Sequence, residues 1–176
     1  MNRTIVIFGA LSGAVTIGGM ITSYALAGGE GVFASVWVGY LIMLLALSLI
    51  FLGIKRYRDE LPEGVITFGR AFGVGFGISV IASLVYVAAW ELYLAMTDYA
   101  FIDEYTAGIV EAKRSAGVSG AELEAEIDSM ERLKVQYANP LFRIPMTLTE
   151  ILPVALLVTL ISAAVLRNPR VLPARR

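Results

Sequence analysis

The chain has 176 residues, 57% of them hydrophobic and only 16% charged, and a mean hydropathy of +0.74. A water-soluble domain of this size cannot hide so much apolar surface, so the composition excludes soluble, disordered, collagen-like and disulfide-rich classes and points to a membrane protein. Cysteine and histidine are absent and the net charge is −1, which removes thiol chemistry, lipidated cysteine, Cys/His metal sites, the usual general base and a nucleic-acid footprint.

Four stretches lack charges, or nearly so, over the roughly 20 residues that a bilayer core requires. They are 4–27, 32–54, 71–96 and 145–166. None alternates as a barrel strand would, so the expected fold is all-α, an integral membrane four-helix bundle forming a single domain over 1–176. In the first span Gly9 and Gly13 stand four apart, a spacing that lets helix backbones approach closely in lipid. Arg3, the apolar run and Ala25-Leu26-Ala27 also resemble a cleavable signal peptide, but the run is longer than a signal core, which favours a retained helix. Gly28-Gly29-Glu30-Gly31 reads as a tight turn into the second span.

The connection from Lys55 to Arg70 is dense in charge and is read as a loop. It is either a topology anchor against anionic headgroups or a docking site. Gly69, Gly73 and Gly77 then enter the third span as a second small-xxx-small series and are expected to pack against another helix. Gly73, Gly75 and Gly77 lack both the preceding strand and the spacing of a nucleotide loop.

The only long polar stretch, 97–144, holds nine acidic and five basic residues. Phe101, Ile102, Tyr105, Ile109 and Ala112 share one helical stripe, and Leu123, Ile127, Met130, Lys134 and Tyr137 another. Ser115 to Gly120 breaks the two apart, Ser119 and Glu122 have capping-box spacing, and Asn139-Pro140 ends the second helix. An amphipathic helical hairpin over about 99–138 follows. Its carboxylates lie along a helix, without the glycine turn and ligand spacing of a calcium loop, so they read as a solvated face.

With the N-terminus inside, the 29 inner residues carry nine Lys or Arg and the 52 outer residues carry five. The positive-inside rule therefore puts both termini in the cytoplasm and the hairpin outside. Glu91 and Glu150 sit inside apolar spans, where an ionised carboxylate is expensive enough to be a functional candidate by default. Glu91 lies five helical turns after Gly73, hence on the glycine side. Pro153, three residues beyond Glu150, cannot donate to the carbonyl of Thr149. The small residues Ala155, Thr159 and Ser162 lie about 120–180° around the helix from Glu150, so which face is buried stays open.

Three strings carry a resemblance: Gly53-Ile54-Lys55-Arg56-Tyr57-Arg58-Asp59, Gly64 to Phe72 with Thr67 and Phe68 in its I-T-F-G-R-A-F core, and Asn139-Pro140-Leu141-Phe142-Arg143 followed by Thr149-Glu150-Ile151-Leu152-Pro153-Val154. Together they resemble a family of small bacterial membrane proteins known as "domain of unknown function 4199", over about residues 5 to 167. The resemblance implies the same order of elements and a place in the bacterial inner membrane, and it transfers no catalytic residue. The expected function is a non-enzymatic interaction or scaffold protein in the lipid bilayer, with a protein partner or a second copy, no cofactor, no metal and no nucleic acid. The alternative is a small proton- or cation-handling transporter using Glu91 and Glu150.

Overall fold

The computed structural model describes residues 1–27 and 36–173. The Gly28–Gly31 link, Arg175 and Arg176 lie outside the described residues. Among the described residues the chain forms α1 (Asn2–Ala27), α2 (Val36–Leu47), α3 (Leu49–Asp59), α4 (Phe68–Met96), α5 (Ala100–Ser115), α6 (Ala121–Tyr137) and α7 (Pro140–Leu166). Four helical stretches are long and apolar enough to cross a membrane: Asn2–Tyr24, Trp37–Asp59, Phe68–Met96 and Pro140–Leu166. The second joins α2 and α3 across Ser48, which keeps right-handed helical angles while its hydroxyl donates to the Leu45 carbonyl at 2.7 Å.

The chain divides into two compact units, 1–89 with 148–176, and 90–147. In the first, the contact register sets the helix directions. A Cβ on Gly9 would stand 2.5 Å from Ile81, and one on Gly13 would stand 2.5 Å from the carbonyl oxygen of Ala82. Gly77 lies against Ile5, so contacts advance together along both chains and α1 runs parallel to α4. Gly19 meets Ile42 and Gly53 meets Phe8, so α2 and α3 run antiparallel to α1. Gly75 meets Thr159, while the Ser79 hydroxyl lies 2.9 Å from that of Thr159 and 3.4 Å from the Ala155 carbonyl, so contacts advance on α4 as they recede on α7 and the two are antiparallel. Ile50, Ile54, Ile78, Ala82 and Ala155 are fully buried among these contacts.

Several boundaries differ from the sequence reading. Helix α3 runs on to Asp59, so Lys55 to Asp59 are helical rather than loop, and Lys55 pairs with Asp59 one turn ahead. Charged residues continue the helix because i,i+4 pairs support it at the membrane edge. Helix α7 starts at Pro140, since proline suits the first helical position and the Asn139 side chain caps it, accepting from the Leu141 N–H at 3.0 Å. The Ser119–Glu122 capping box does not form. Helix α6 begins at Ala121 behind Gly120 at φ +63°, which puts Ser119 one residue too early to cap. Gly69 and Gly73 are also corrected: nothing lies within 4 Å of a Cβ at either. They share the exposed side of α4 with Phe68 and Phe76, while Gly75 and Gly77 turn inward.

In the second unit α5 and α6 lie against each other, tied by Lys113–Glu126 at 3.6 Å and Lys134–Asp103 at 3.3 Å. Thr106 and Tyr137 are buried, whereas Tyr105 and Ala112 of the expected stripe are exposed. Helix α5 closes with Gly117 at φ +86°, which only glycine adopts freely. This lets the Val118 N–H reach the Lys113 carbonyl at 3.1 Å and the Gly117 N–H reach that of Arg114 at 3.0 Å. Hydrogen bonds to Glu131 and then Asp103 hold the Lys134 ammonium above its ordinary pKa. Its contribution is present below the unfolded-state value and fades as pH rises through the raised one, so the pairing loosens only in alkali.

The glycine contacts give a direct test. Gly9→Leu and Gly13→Leu should each destabilise the bundle by about 1–3 kcal/mol through overpacking, while Gly73→Leu should leave it unchanged. Thermal unfolding in one detergent separates the three; an equal loss at Gly73 would contradict its open surroundings.

Candidate functional site

Two arginines that the hydropathy pattern treats as ordinary boundary charges organise the polar interior. Arg143 is 1% exposed and stands in the first turn of α7. Its Nε donates to Glu91 Oε1 at 2.7 Å and its Nη2 to Oε2 at 2.5 Å, a fork that matches the carboxylate with two parallel bonds. Nη1 donates to the Tyr137 carbonyl at 2.8 Å. The flat guanidinium also lies 5.1 Å from the Tyr99 ring and 5.6 Å from that of Tyr137, within range of cation–π attraction. Trp90 Nε1–H donates to the Tyr137 hydroxyl at 2.9 Å, and its ring packs on Tyr93 and edge-on to Phe101. One ion pair thus joins the end of α4, the start of α5, the end of α6 and the start of α7.

The turn into this cluster is strained. Asp98 and Tyr99 both have left-handed angles, φ 49° and 59°, and the Tyr99 N–H reaches back to the Leu94 carbonyl at 2.8 Å to close α4. Aspartate tolerates that region; a tyrosine seldom occupies it. The conformation sets the Tyr99 ring over Arg143.

Glu150 and Glu91 belong to different units. The Glu150 carboxylate is hydrogen-bonded by Tyr86, a buried residue of α4, and both of these residues lie in the first unit. Pro153 is exposed one turn further along α7. Ala155, Thr159 and Ser162, whose side was left open by the sequence, form the buried face. Glu91 has its partner in Arg143; Gly73, placed on the same side by turn counting, meets open space.

The motif residues find structural work at the other end of the first unit. Arg58 is fully buried and donates to the carbonyls of Leu166 at 3.4 Å, Val171 at 2.9 Å and Leu172, with Asp59 bonding its far side at 3.1 Å. It caps the last turn of α7 and fixes the segment after it. Tyr57 accepts from Arg70 Nε at 3.0 Å, linking the first motif string to the second. Thr67 caps α4, accepting from the Arg70 N–H at 3.4 Å, and Phe68 stacks on Phe72 with centroids 6.2 Å apart.

Among the described residues no three acidic side chains gather as a metal ion would require. Both oxygens of Glu91 accept from Arg143, so the part-buried pair is an arranged salt bridge. Neither arginine's role was visible by counting charges. The available signal was a lone carboxylate in one span and an arginine opening another, which together ask for a counter-ion.

Four apolar membrane-length helices and a polar interior built from side-chain pairs define a multi-pass helical membrane protein. The chain belongs to the family described as Protein of unknown function (DUF4199), which matches residues 6–168. Neither a curated protein nor a solved structure matches it.

Removing one partner of this part-buried pair should be costly. Arg143→Ala should destabilise the protein by about 1–3 kcal/mol, and replacing Glu91 and Arg143 together by leucine should restore part of the loss. Unfolding in detergent of the single and double variants measures the coupling. For Arg58→Ala, released carbonyls at Val171 and Leu172 should free the terminal segment. Trypsin should then cut after Arg167 and Arg170 faster than in the parent protein, read by mass spectrometry.

Proposed function

We propose that the protein resides in the bacterial cytoplasmic (inner) membrane with both termini in the cytoplasm and the α5–α6 pair on the outer side. There it acts without catalysis, as a scaffold that holds a protein partner or a second copy of itself. The orientation is supported by charge. The start of α1, the end of α3, the start of α4 and the segment after α7 carry Arg3, Lys55, Arg56, Arg58, Arg70, Arg167 and Arg170, whereas the stretch 97–144 is net acidic. Basic residues of membrane proteins concentrate on the cytoplasmic side.

The observation that carries the scaffold reading is the Glu91–Arg143 pair. Glu91 and Arg143 are committed to holding helices together, and the exposed acidic surface of α5 and α6, with Glu111, Glu122, Glu124 and Asp128, is open to recognition. The same pair weakens the transport alternative, because a proton or cation would have to compete with a guanidinium bonded to both carboxylate oxygens.

Reporter fusions test the threading: after residue 60 and after Arg176 they should read cytoplasmic, and near Gly117 external. An external signal at residue 60 would overturn the layout. For the scaffold role, crosslinking in native membranes followed by capture should recover the same partner or a dimer repeatedly, and capture of the monomer alone in several growth conditions would defeat it. Liposomes loaded with a pH dye complete the comparison, since wild type, Glu91→Gln and Glu150→Gln should all leak protons equally.

A further inference from the structure

Where α1 begins and α3 ends, Arg3, Thr4, Ile7, Phe8, Arg56 and Glu60 line a cavity of about 190 Å³ within the first unit. That is below the roughly 300 Å³ of a typical small-molecule site and suits a single compact group. Its polar groups are incompletely used. Thr4 is only 7% exposed, yet its hydroxyl has no hydrogen-bond partner among the described residues. Arg3 makes no ion pair among them. Arg56 meets Glu60 through Nε alone, at 3.3 Å between exposed groups, which leaves both of its terminal nitrogens without a partner there.

Two guanidinium groups and the unpartnered Thr4 hydroxyl form a donor set for a tetrahedral oxyanion, because the arginine fork fits two phosphate oxygens at once. The apolar residues around it add a direction. Ile7, Leu11 and Val15 follow one another at four-residue steps along α1 and are 43%, 50% and 47% exposed. They make an apolar track that leaves the cavity and runs down the span. A free anion has no use for such a track; a lipid has.

We propose that this cavity binds the phosphate of an anionic phospholipid, with Arg3 and Arg56 gripping the phosphate oxygens, Thr4 donating to one of them, and an acyl chain lying along Ile7, Leu11 and Val15. Free inorganic phosphate shares the headgroup chemistry and lacks the chain. The assignment goes beyond a scaffold role and holds whether or not the protein has a protein partner.

The test uses the full chain purified in a neutral detergent, with native mass spectrometry to count bound lipid and thermal unfolding as a second measure. Phosphatidylglycerol should remain bound and raise the unfolding temperature, while phosphatidylcholine and inorganic phosphate should do neither. The double variant Arg3→Gln/Arg56→Gln should bind phosphatidylglycerol about tenfold or more weakly, the scale expected for lost charge-assisted hydrogen bonds. Thr4→Val should weaken it several-fold, and Arg167→Gln, an exposed cation outside the cavity, should bind like the parent. Equal binding of the two lipids would overturn the proposal. So would an equal loss in Arg167→Gln, which would indicate diffuse attraction to a basic surface. Stabilisation by inorganic phosphate matching that by the lipid would assign the site to a free anion instead. If the double variant does not fold, Thr4→Val decides: unchanged lipid binding there rejects the site.

Discussion

A guanidinium cannot shed its charge, so wherever a helix carries one into a low-dielectric region the surroundings must be built to meet it. Helix α7 is framed by two such demands. At its start Arg143 collects Glu91, the Tyr137 carbonyl and two tyrosine faces. At its end Arg58 collects the carbonyls of Leu166, Val171 and Leu172. Both arginines draw their partners from distant parts of the chain, 52 residues away for Glu91 and 108 or more for the three carbonyls. Much of the long-range polar order at the two ends of α7 follows from those two side chains.

Several buried hydroxyls are satisfied locally. Ser12 donates to the Phe8 carbonyl, Thr16 to that of Ser12, Ser79 to that of Gly75 and Thr147 to that of Arg143, each one turn back along its own helix. Such bonds let hydroxyls sit in apolar surroundings without a neighbour's help. Ser79 adds a bond across to Thr159, because Gly75 lets α7 come close at that level. Ser83 alone among the described residues has a fully buried side-chain oxygen with no partner.

How much of this was legible follows from what kind of signal each feature has. Membrane-length helices are a property of local hydropathy, so four spans could be read directly, and alternating connections implied their antiparallel order. Register has no such signal. Gly69, Gly73 and Gly77 look alike in sequence, but only Gly77 meets another helix, and Gly53 and Gly75 proved to be contact points without belonging to a counted series. The Ser119–Glu122 spacing failed for a related reason: Gly120 can take a positive φ, and so it moved the helix start by one residue. At the site, Glu91 stood out because a carboxylate in an apolar run is rare, whereas Arg143 was hidden among the charges of a polar stretch. Its placement depends on α7 starting at Pro140, before the hydropathy window rises.

The separation of Glu91 from its counter-ion also has a consequence in time. The chain is made from its N-terminus, so α4 emerges with an unmatched carboxylate and the residue that neutralises it follows 52 positions later. At about 5–20 residues per second, translation takes roughly 3–10 s to cover that distance. During that interval the end of α4 has no salt bridge to settle into, and Trp90 lacks the Tyr137 hydroxyl that later accepts its N–H. The third span is therefore made well before it can be secured: its anchoring waits on the opening turn of the fourth.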